Sequence, residues 1–395
     1  MAVEERTLAL QGNVLRDDGR IVPGCVVLKH GTIDSVGSFA LGASTTLEVL
    51  HFPAGSIIAP GFIDIQLNGA FGHDFTVASA GILDVARQLP RYGVTSFLPT
   101  VITSPLDNIR KMISEVKAIL RSTPGEVAAE ILGLHVEGPF LAPGKAGAHD
   151  SNYCLPPIRD YLVLFDPSVV RLLTLAPELE GCLDFIAEAT RSGIVVGMGH
   201  SNATFQQTLD AVASGASWGT HLFNAAPMLD HREPGLVGAL LADPRLRFAL
   251  IADGLHLHPA ILRIAYAAKG AQGVTLISDS TAATGMPPGI YLLGETPITV
   301  DGASSRAVHS GGLAGSVLTL DAAVRNMIRF SGCSIAAALT MASTSPADVI
   351  RHRRKGRILP GYDGDLVVLD PSLHVIATVT KGRVAYRDVG LAGGS

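Results

Sequence analysis

The sequence is short of charge and of aromatic rings. Only 16% of its 395 residues are Asp, Glu, Lys or Arg and only 5% are Phe, Trp or Tyr, whereas charged residues usually make up about a quarter of a soluble chain. Long coiled coils, which carry charge along every turn, are disfavoured. No apolar run reaches the ~18–20 residues of a membrane-spanning helix; the stretch from Gly235 to Ala242 is soon broken by Asp243, Pro244 and Arg245. The four cysteines, Cys25, Cys154, Cys182 and Cys333, lie far apart without a CxxC pair, which argues against a zinc knuckle and a dense disulfide frame. Lys and Arg number 30 against 35 Asp and Glu, a net charge of −5, so there is no diffuse cationic field for nucleic acid or anionic lipid. Met1 to Leu10 include Glu4, Glu5 and Arg6 and lack the apolar segment of a secretory signal. Together these absences predict a cytoplasmic protein with reduced thiols and with neither nucleic acid nor membrane as partner.

What is abundant is apolar surface, 47% of residues, and glycine, 43 in all, the composition of short elements packed in layers and joined by tight turns. The two ends share one style. Asp18-Gly19 precedes Cys25 to Leu28, and His30-Gly31 precedes Ile33 to Val36. Near the far end Asp363-Gly364 precedes Leu366 to Leu369, and Lys381-Gly382 precedes Val384 to Tyr386. These are hairpin signatures, and they predict one small β domain built from residues 1–57 and 358–395. Between them, strand-like runs recur at Ile57 to Leu67, Val94 to Leu98, Ile131 to Val136, Val169 to Leu175, Ile194 to Met198, Ser217 to Leu222, Phe248 to Ile251 and Val274 to Ile277. Helical periodicity separates several of them: Ile109, Met112, Ile113, Val116, Ile119 and Leu120 follow a start at Ser104-Pro105, and Phe205, Leu209 and Val212 follow Asn202. Short apolar strands alternating with helices imply a parallel sheet covered by helices. About eight such units predict an α/β fold of the (β/α)8 barrel type over residues 58–357, with an open doubly wound sheet as the alternative.

In such a barrel chemistry sits where the strands end. The polar residues there are Gln66 and Asn68 after the first strand, Glu137 after the third and Glu178 after the fourth. His200 and His221 follow the fifth and sixth, Asp253 and His256 the seventh, and Asp279 the eighth. Two imidazoles and a carboxylate on neighbouring strand ends form a common catalytic set for Zn2+ or a similar divalent ion, with a position left for water. Glu137, His200 and His221 are therefore candidate ligands, and Asp279 is a candidate proton carrier above them. No lysine ends a strand, since Lys145 lies well beyond Glu137, so a lysine-bridged metal pair is disfavoured. Gly215-Ala216-Ser217-Trp218-Gly219 matches a nucleophile elbow but has its helix before and its strand after, the reverse of what that elbow needs. Gly197-Met198-Gly199 lacks the third glycine of a dinucleotide loop, with Asn202 in its place.

Six segments in order carry a fuller signature: Pro60 to Gly69, Gly133 to Phe140, Gly199 to Thr204, Thr220 to Ala225, Arg232 to Gly235 and Ala252 to His256, with Leu313 to Thr319 closing the series. This series resembles the N-acetylglucosamine-6-phosphate deacetylases of the amidohydrolase superfamily. The resemblance implies a metal-dependent barrel carried on a β-sandwich and removal of the acetyl group from N-acetylglucosamine 6-phosphate. It also implies Glu137, His200 and His221 as metal ligands, Asp279 as acid and base, and His256 as hydrogen-bond donor to the amide carbonyl. Arg232, Asn224, Ala225 and His149 are implied as phosphate and sugar contacts, with Gln66 as a further substrate contact. Many superfamily members carry HxH on the first strand for a second metal; Gln66 and Asn68 stand there instead. A single divalent ion per subunit is therefore expected, Zn2+ first, with Fe2+, Mn2+ or Co2+ as alternatives. A homodimer or homotetramer is expected from the resemblance, with Arg232 acting in its own or a neighbouring subunit. The competing readings are a deacetylase for the galactosamine epimer and a phosphosugar-binding protein with a degenerate site.

Overall fold

A computed structural model describes residues 7–37, 47–122 and 127–388. The outer parts of the terminal segments 1–57 and 358–395, including most of Met1 to Leu10, lie outside the described residues.

Eight strands pair side by side in chain order: Phe62–Leu67, Val94–Ile102, Leu134–Glu137, Val170–Leu175, Val195–Met198, Trp218–Gly219, Arg247–Leu250 and Val274–Leu276. Every pairing along this series is parallel. The last strand returns to the first where the Asp279 N–H donates to the Gln66 carbonyl at 2.9 Å, so the sheet is a nearly closed barrel. Parallel strands covered on both faces read as unbroken apolar runs, and all nine residues of Val94–Ile102 are buried. The sixth strand is shorter than its apolar run suggests. Beyond Gly219 the chain turns, with Asn224 N–H donating to the His221 carbonyl at 2.9 Å and Phe223 and Ala225 in the left-handed region.

The helices follow from local chemistry. Leu106–Ser122 buries Ile109, Met112, Ile113 and Val116 along one stripe, and each such side chain taken from water stabilises the fold by about 1.5–3 kcal/mol. Phe205–Ser214 starts with a reciprocal capping box between Thr204 and Gln207 and stops at Gly215, whose φ of 119° strongly favours glycine.

Strands from both ends of the chain join in one eight-stranded sheet. Its alternation divides two cores. In Leu366–Leu369, Leu366 and Val368 face a cluster with Leu10, Val26 and Ile376, whereas Val367 and Leu369 join the main core beneath the barrel. Period-two side-chain geometry makes one strand serve both. Lys355 pins this seam: its buried ammonium lies 2.7 Å from Glu130, 3.2 Å from Asp363, and against Asp365. Those three carboxylates could chelate a cation by spacing alone, but the lysine already fills their centre.

One element departs from expectation. After Asp279 the Gly/Pro-rich stretch leads into a three-stranded antiparallel sheet, Gly289–Leu293, Thr296–Val300 and Ser305–Ala307, placed so that Leu293 lines the barrel mouth. Among the described residues no helix is long and apolar enough to cross a membrane.

Candidate active site

Glu137 is the last residue of the third strand, and His200 and His221 follow the ends of the fifth and sixth. Close approach of these two strand ends depends on Gly199, where a Cβ would stand 2.2 Å from Thr220 Cγ2. The result is a tight trio. His200 Nε2 and His221 Nε2 are 3.0 Å apart, and they lie 3.3 and 3.1 Å from the same Glu137 oxygen, Oε1. All three residues are buried.

The trio carries more lone pairs than protons. His200 donates through Nδ1 to the Lys145 carbonyl at 2.9 Å, so its Nε2 presents a bare lone pair. Within the trio only His221 Nε2 can supply a proton, and it has two acceptors before it, His200 Nε2 and Glu137 Oε1. Gln66 Nε2 also reaches Glu137 Oε1, but nothing donates to both His200 Nε2 and Glu137 at once. A cation satisfies both. Ligands ~2.0–2.1 Å from a tetrahedral Zn2+ stand ~3.3 Å from one another, within a few tenths of the spacing here, so the donor set fits a divalent ion of this size. Burial disfavours charge on Glu137 and on His221, but their mutual hydrogen bonding overrides it: Glu137 is held well below the usual carboxylate range and His221 is raised.

Asp279, just past the eighth strand, sits beside the trio. Its Oδ1 accepts from Asn68 Nδ2 at 2.8 Å and from Gln66 Nε2 at 3.4 Å. Burial, reinforced by the Glu137 carboxylate, pushes its pKa up to about 6, near the range that suits a proton carrier at neutral pH. Gln66 is wholly buried and faces its neighbours: Nε2 also donates to Glu137 Oε1 at 3.1 Å, and Oε1 accepts from Thr220 Oγ1 at 2.5 Å. Gln66 thus spaces the two carboxylates, and it is absent from the residues that line the cavity.

The surrounding cavity, about 280 Å3, is lined by His149, Asn224, Ala225, His256 and Lys145 together with Glu137, His200, His221, Asp279 and Asn68. His149 stacks edge-on against His200 with ring centres 4.4 Å apart and accepts the Thr103 N–H at Nδ1, which leaves its Nε2–H as a donor. Burial and the neighbouring His200 push its pKa down to about 3, so it is neutral. His256 Nδ1 is 2.6 Å from Asp253 Oδ2, which fixes the ring and leaves Nε2 as its remaining polar atom. Glu178 accepts from Ser201 Oγ at 2.7 Å and from Asn202 N–H at 2.5 Å, tying down the chain that carries His200. His200, Ala225 and Asp279 have φ of 49°, 50° and 48°. Such left-handed backbone costs of order 1–3 kcal/mol per residue, and here it clusters on the residues that converge.

Arg232 is placed elsewhere. It is exposed on the loop before Gly235, its N–H donates to Asp230 Oδ1 at 2.8 Å, and it does not line the cavity. Neighbouring Glu233 accepts from Phe205 N–H instead of pairing with it. The one Lys or Arg among the described lining residues is Lys145, whose Nζ donates to the Ala226 carbonyl at 3.2 Å. In the sequence Lys145 bears only on a metal bridge, which it lies too far beyond Glu137 to form; its place in the segment Gly144 to His149 is the signal that could mark it as a pocket residue.

Comparison with known proteins is consistent with this geometry. The pattern of the amidohydrolase family matches residues 57–385. The chain is 41% identical over 348 residues to the human N-acetylglucosamine-6-phosphate deacetylase, covering 84% of each. It is 34% identical over 381 residues to the enzyme of that name from Bacillus subtilis, covering 94% of this chain and 95% of the relative. Among solved structures, a Mycobacterium smegmatis N-acetyl-D-glucosamine-6-phosphate deacetylase variant in complex with N-acetyl-D-glucosamine-6-phosphate superposes with a TM-score of 0.87 at 30% identity, covering 97% of this chain and all of that one.

Proposed function

The chain belongs to the amidohydrolase family, and from that premise we propose that it hydrolyses the acetamide of N-acetyl-D-glucosamine 6-phosphate to D-glucosamine 6-phosphate and acetate. The observation that carries this reading is the convergence of Glu137, His200 and His221 within 3.3 Å of one another beside Asp279. Relatives at 34–41% identity bear the name of this enzyme, which favours the gluco substrate over its galacto epimer and catalysis over binding alone.

Glu137, His200 and His221 would hold a divalent ion, Zn2+ by preference for this N,N,O set, with Fe2+, Mn2+ or Co2+ as alternatives. When bound, such an ion acidifies water and polarises a carbonyl. Asp279 takes the proton from the attacking water and returns it to the departing nitrogen, which an amine leaving group requires. His256 gives its Nδ1–H to Asp253, so it donates from Nε2 to the oxygen on which negative charge grows as the doubly protonated imidazolium of that ion pair, a preorganised contact of the kind worth ~3–4 kcal/mol. Gln66 and Asn68 orient the two carboxylates, and His149, Asn224 and Ala225 meet the sugar and its phosphate.

Lys145 supplies the cation for that phosphate within the pocket, where an acidic chain would otherwise repel it. Because Arg232 lies outside its own cavity, a phosphate contact from it runs across a subunit boundary in a homodimer or homotetramer. The four free cysteines, three of them buried, suit a reducing cytoplasm.

The test is acetate release from purified protein. N-acetylglucosamine 6-phosphate should be turned over, a chelator should abolish turnover, and Zn2+ should restore it. Chelator-insensitive release, or faster release from the galactosamine epimer, would refute the assignment.

A further inference from the structure

The seventh barrel strand begins at Arg247, at the foot of the barrel and therefore at the end remote from the catalytic mouth. A separate groove of about 640 Å3 opens there, lined by Arg247, Asp348, Arg351, Arg353 and Arg357 among others. Its charges are unbalanced. Asp348 is the one carboxylate among the lining residues, and it is engaged by both Nη atoms of Arg357 at 2.9 and 3.1 Å. Arg247 Nη1 is buried without a hydrogen-bond partner, its closest approach to Asp348 being 3.7 Å. The guanidinium groups of Arg351 and Arg353 are exposed and make no hydrogen bond or ion pair among the described residues. Arg351 is moreover held at a φ of 55°, a conformation that a non-glycine residue adopts at a cost.

Only the Nη1 atom of Arg247 is buried; its side chain as a whole is 33% exposed and its charge faces Asp348 at 3.7 Å, but a buried N–H without an acceptor still costs free energy. Two further open forks beside it match the planar, multidentate geometry of a phosphate group. The groove's volume falls within the ~300–1,000 Å3 of small-molecule sites. A net charge of −5 over the chain gives no extended cationic surface that would suit nucleic acid.

We propose that this groove is a second anion site, which takes a phosphate group, free or as a phosphomonoester, on Arg351, Arg353 and Arg247. It is independent of the catalytic reading, and either can fail without the other.

Equilibrium dialysis of the metal-loaded full chain against labelled inorganic phosphate at low ionic strength tests it. The wild type should bind one equivalent more than the double variant Arg351→Ala/Arg353→Ala, or bind it at least ~10-fold more tightly, the loss expected for removing charge-assisted forks. Deacetylation by the variant should stay within about twofold. The single variant Arg353→Ala gives the same reading should the pair fail to fold. Displacement of the extra equivalent by glucose 6-phosphate identifies phosphomonoesters as occupants, and failure to displace it identifies free phosphate; both support the site. Superimposable isotherms for wild type and variants overturn it.

Discussion

Asp279→Asn separates the proton-carrying role of this residue from its structural one. The side chain is buried, and its Oδ1 accepts from Asn68 Nδ2 at 2.8 Å. The amide of the variant is nearly isosteric and can turn its oxygen to the same donor, so the packing survives. The backbone survives as well, because Asp279 sits at a φ of 48° and asparagine is among the residues that best tolerate this region. What vanishes is an acceptor for the proton of the attacking water. Loss of a positioned general base lowers the rate by ~10²–10⁴, or ~2.7–5.4 kcal/mol in barrier at about 1.36 kcal/mol per tenfold. The assay is kcat for acetate release at saturating substrate, with metal content measured on the same samples. A kcat within about threefold of wild type at unchanged metal content would refute the assignment of Asp279. KM should move little, because the residue meets the reacting water rather than the sugar.

Two further outcomes follow from other residues. Lys145→Ala should raise KM for the phosphorylated sugar at least ~10-fold and leave N-acetylglucosamine itself nearly unaffected; equal losses on both would remove the phosphate role. Asp64 is buried inside the barrel, accepts from the Gln66 and Ser278 N–H groups at 3.3 Å each, and is pushed by burial up to about 7 from 3.8. Its folded pKa exceeds its unfolded one, so between about pH 4 and 7 the unfolded chain ionises first and this group's contribution to stability falls as pH rises. Asp64→Asn removes that slope. The variant should be more stable than wild type above pH 7, by at most ~4 kcal/mol, and lose the advantage near pH 4; parallel denaturation midpoints across that range would contradict the argument.

The barrel was legible in the sequence because parallel strands buried on both faces leave unbroken apolar runs, and the candidate ligands were legible because each follows such a run. Three of the terminal glycine turns, Asp18-Gly19, His30-Gly31 and Lys381-Gly382, do join antiparallel strands, whereas Asp363-Gly364 only leads into Leu366–Leu369, whose hairpin partner Val375–Thr380 follows a turn without glycine. The sheet of Gly289–Leu293, Thr296–Val300 and Ser305–Ala307 was not, since its strands are short, half-exposed and sit next to a Gly/Pro-rich stretch that reads as loop. Gln66 read as a strand-end polar group, but its bonds to Glu137, Asp279 and Thr220 join residues 71, 213 and 154 positions away. Arg232 and Lys145 both lie on loops, where side-chain direction depends on turns that no periodicity encodes.

The order of residues therefore determined which elements form and which side chains stand at their ends, because burial and turn chemistry act locally and leave a periodic trace. Only the closed ring decided that Glu137, His200 and His221 come within 3.3 Å, that Asp279 is pushed towards neutrality, and that Lys145 rather than Arg232 faces the cavity. Those outcomes depend on distances between segments far apart in the chain, and such distances exist only once the backbone has closed.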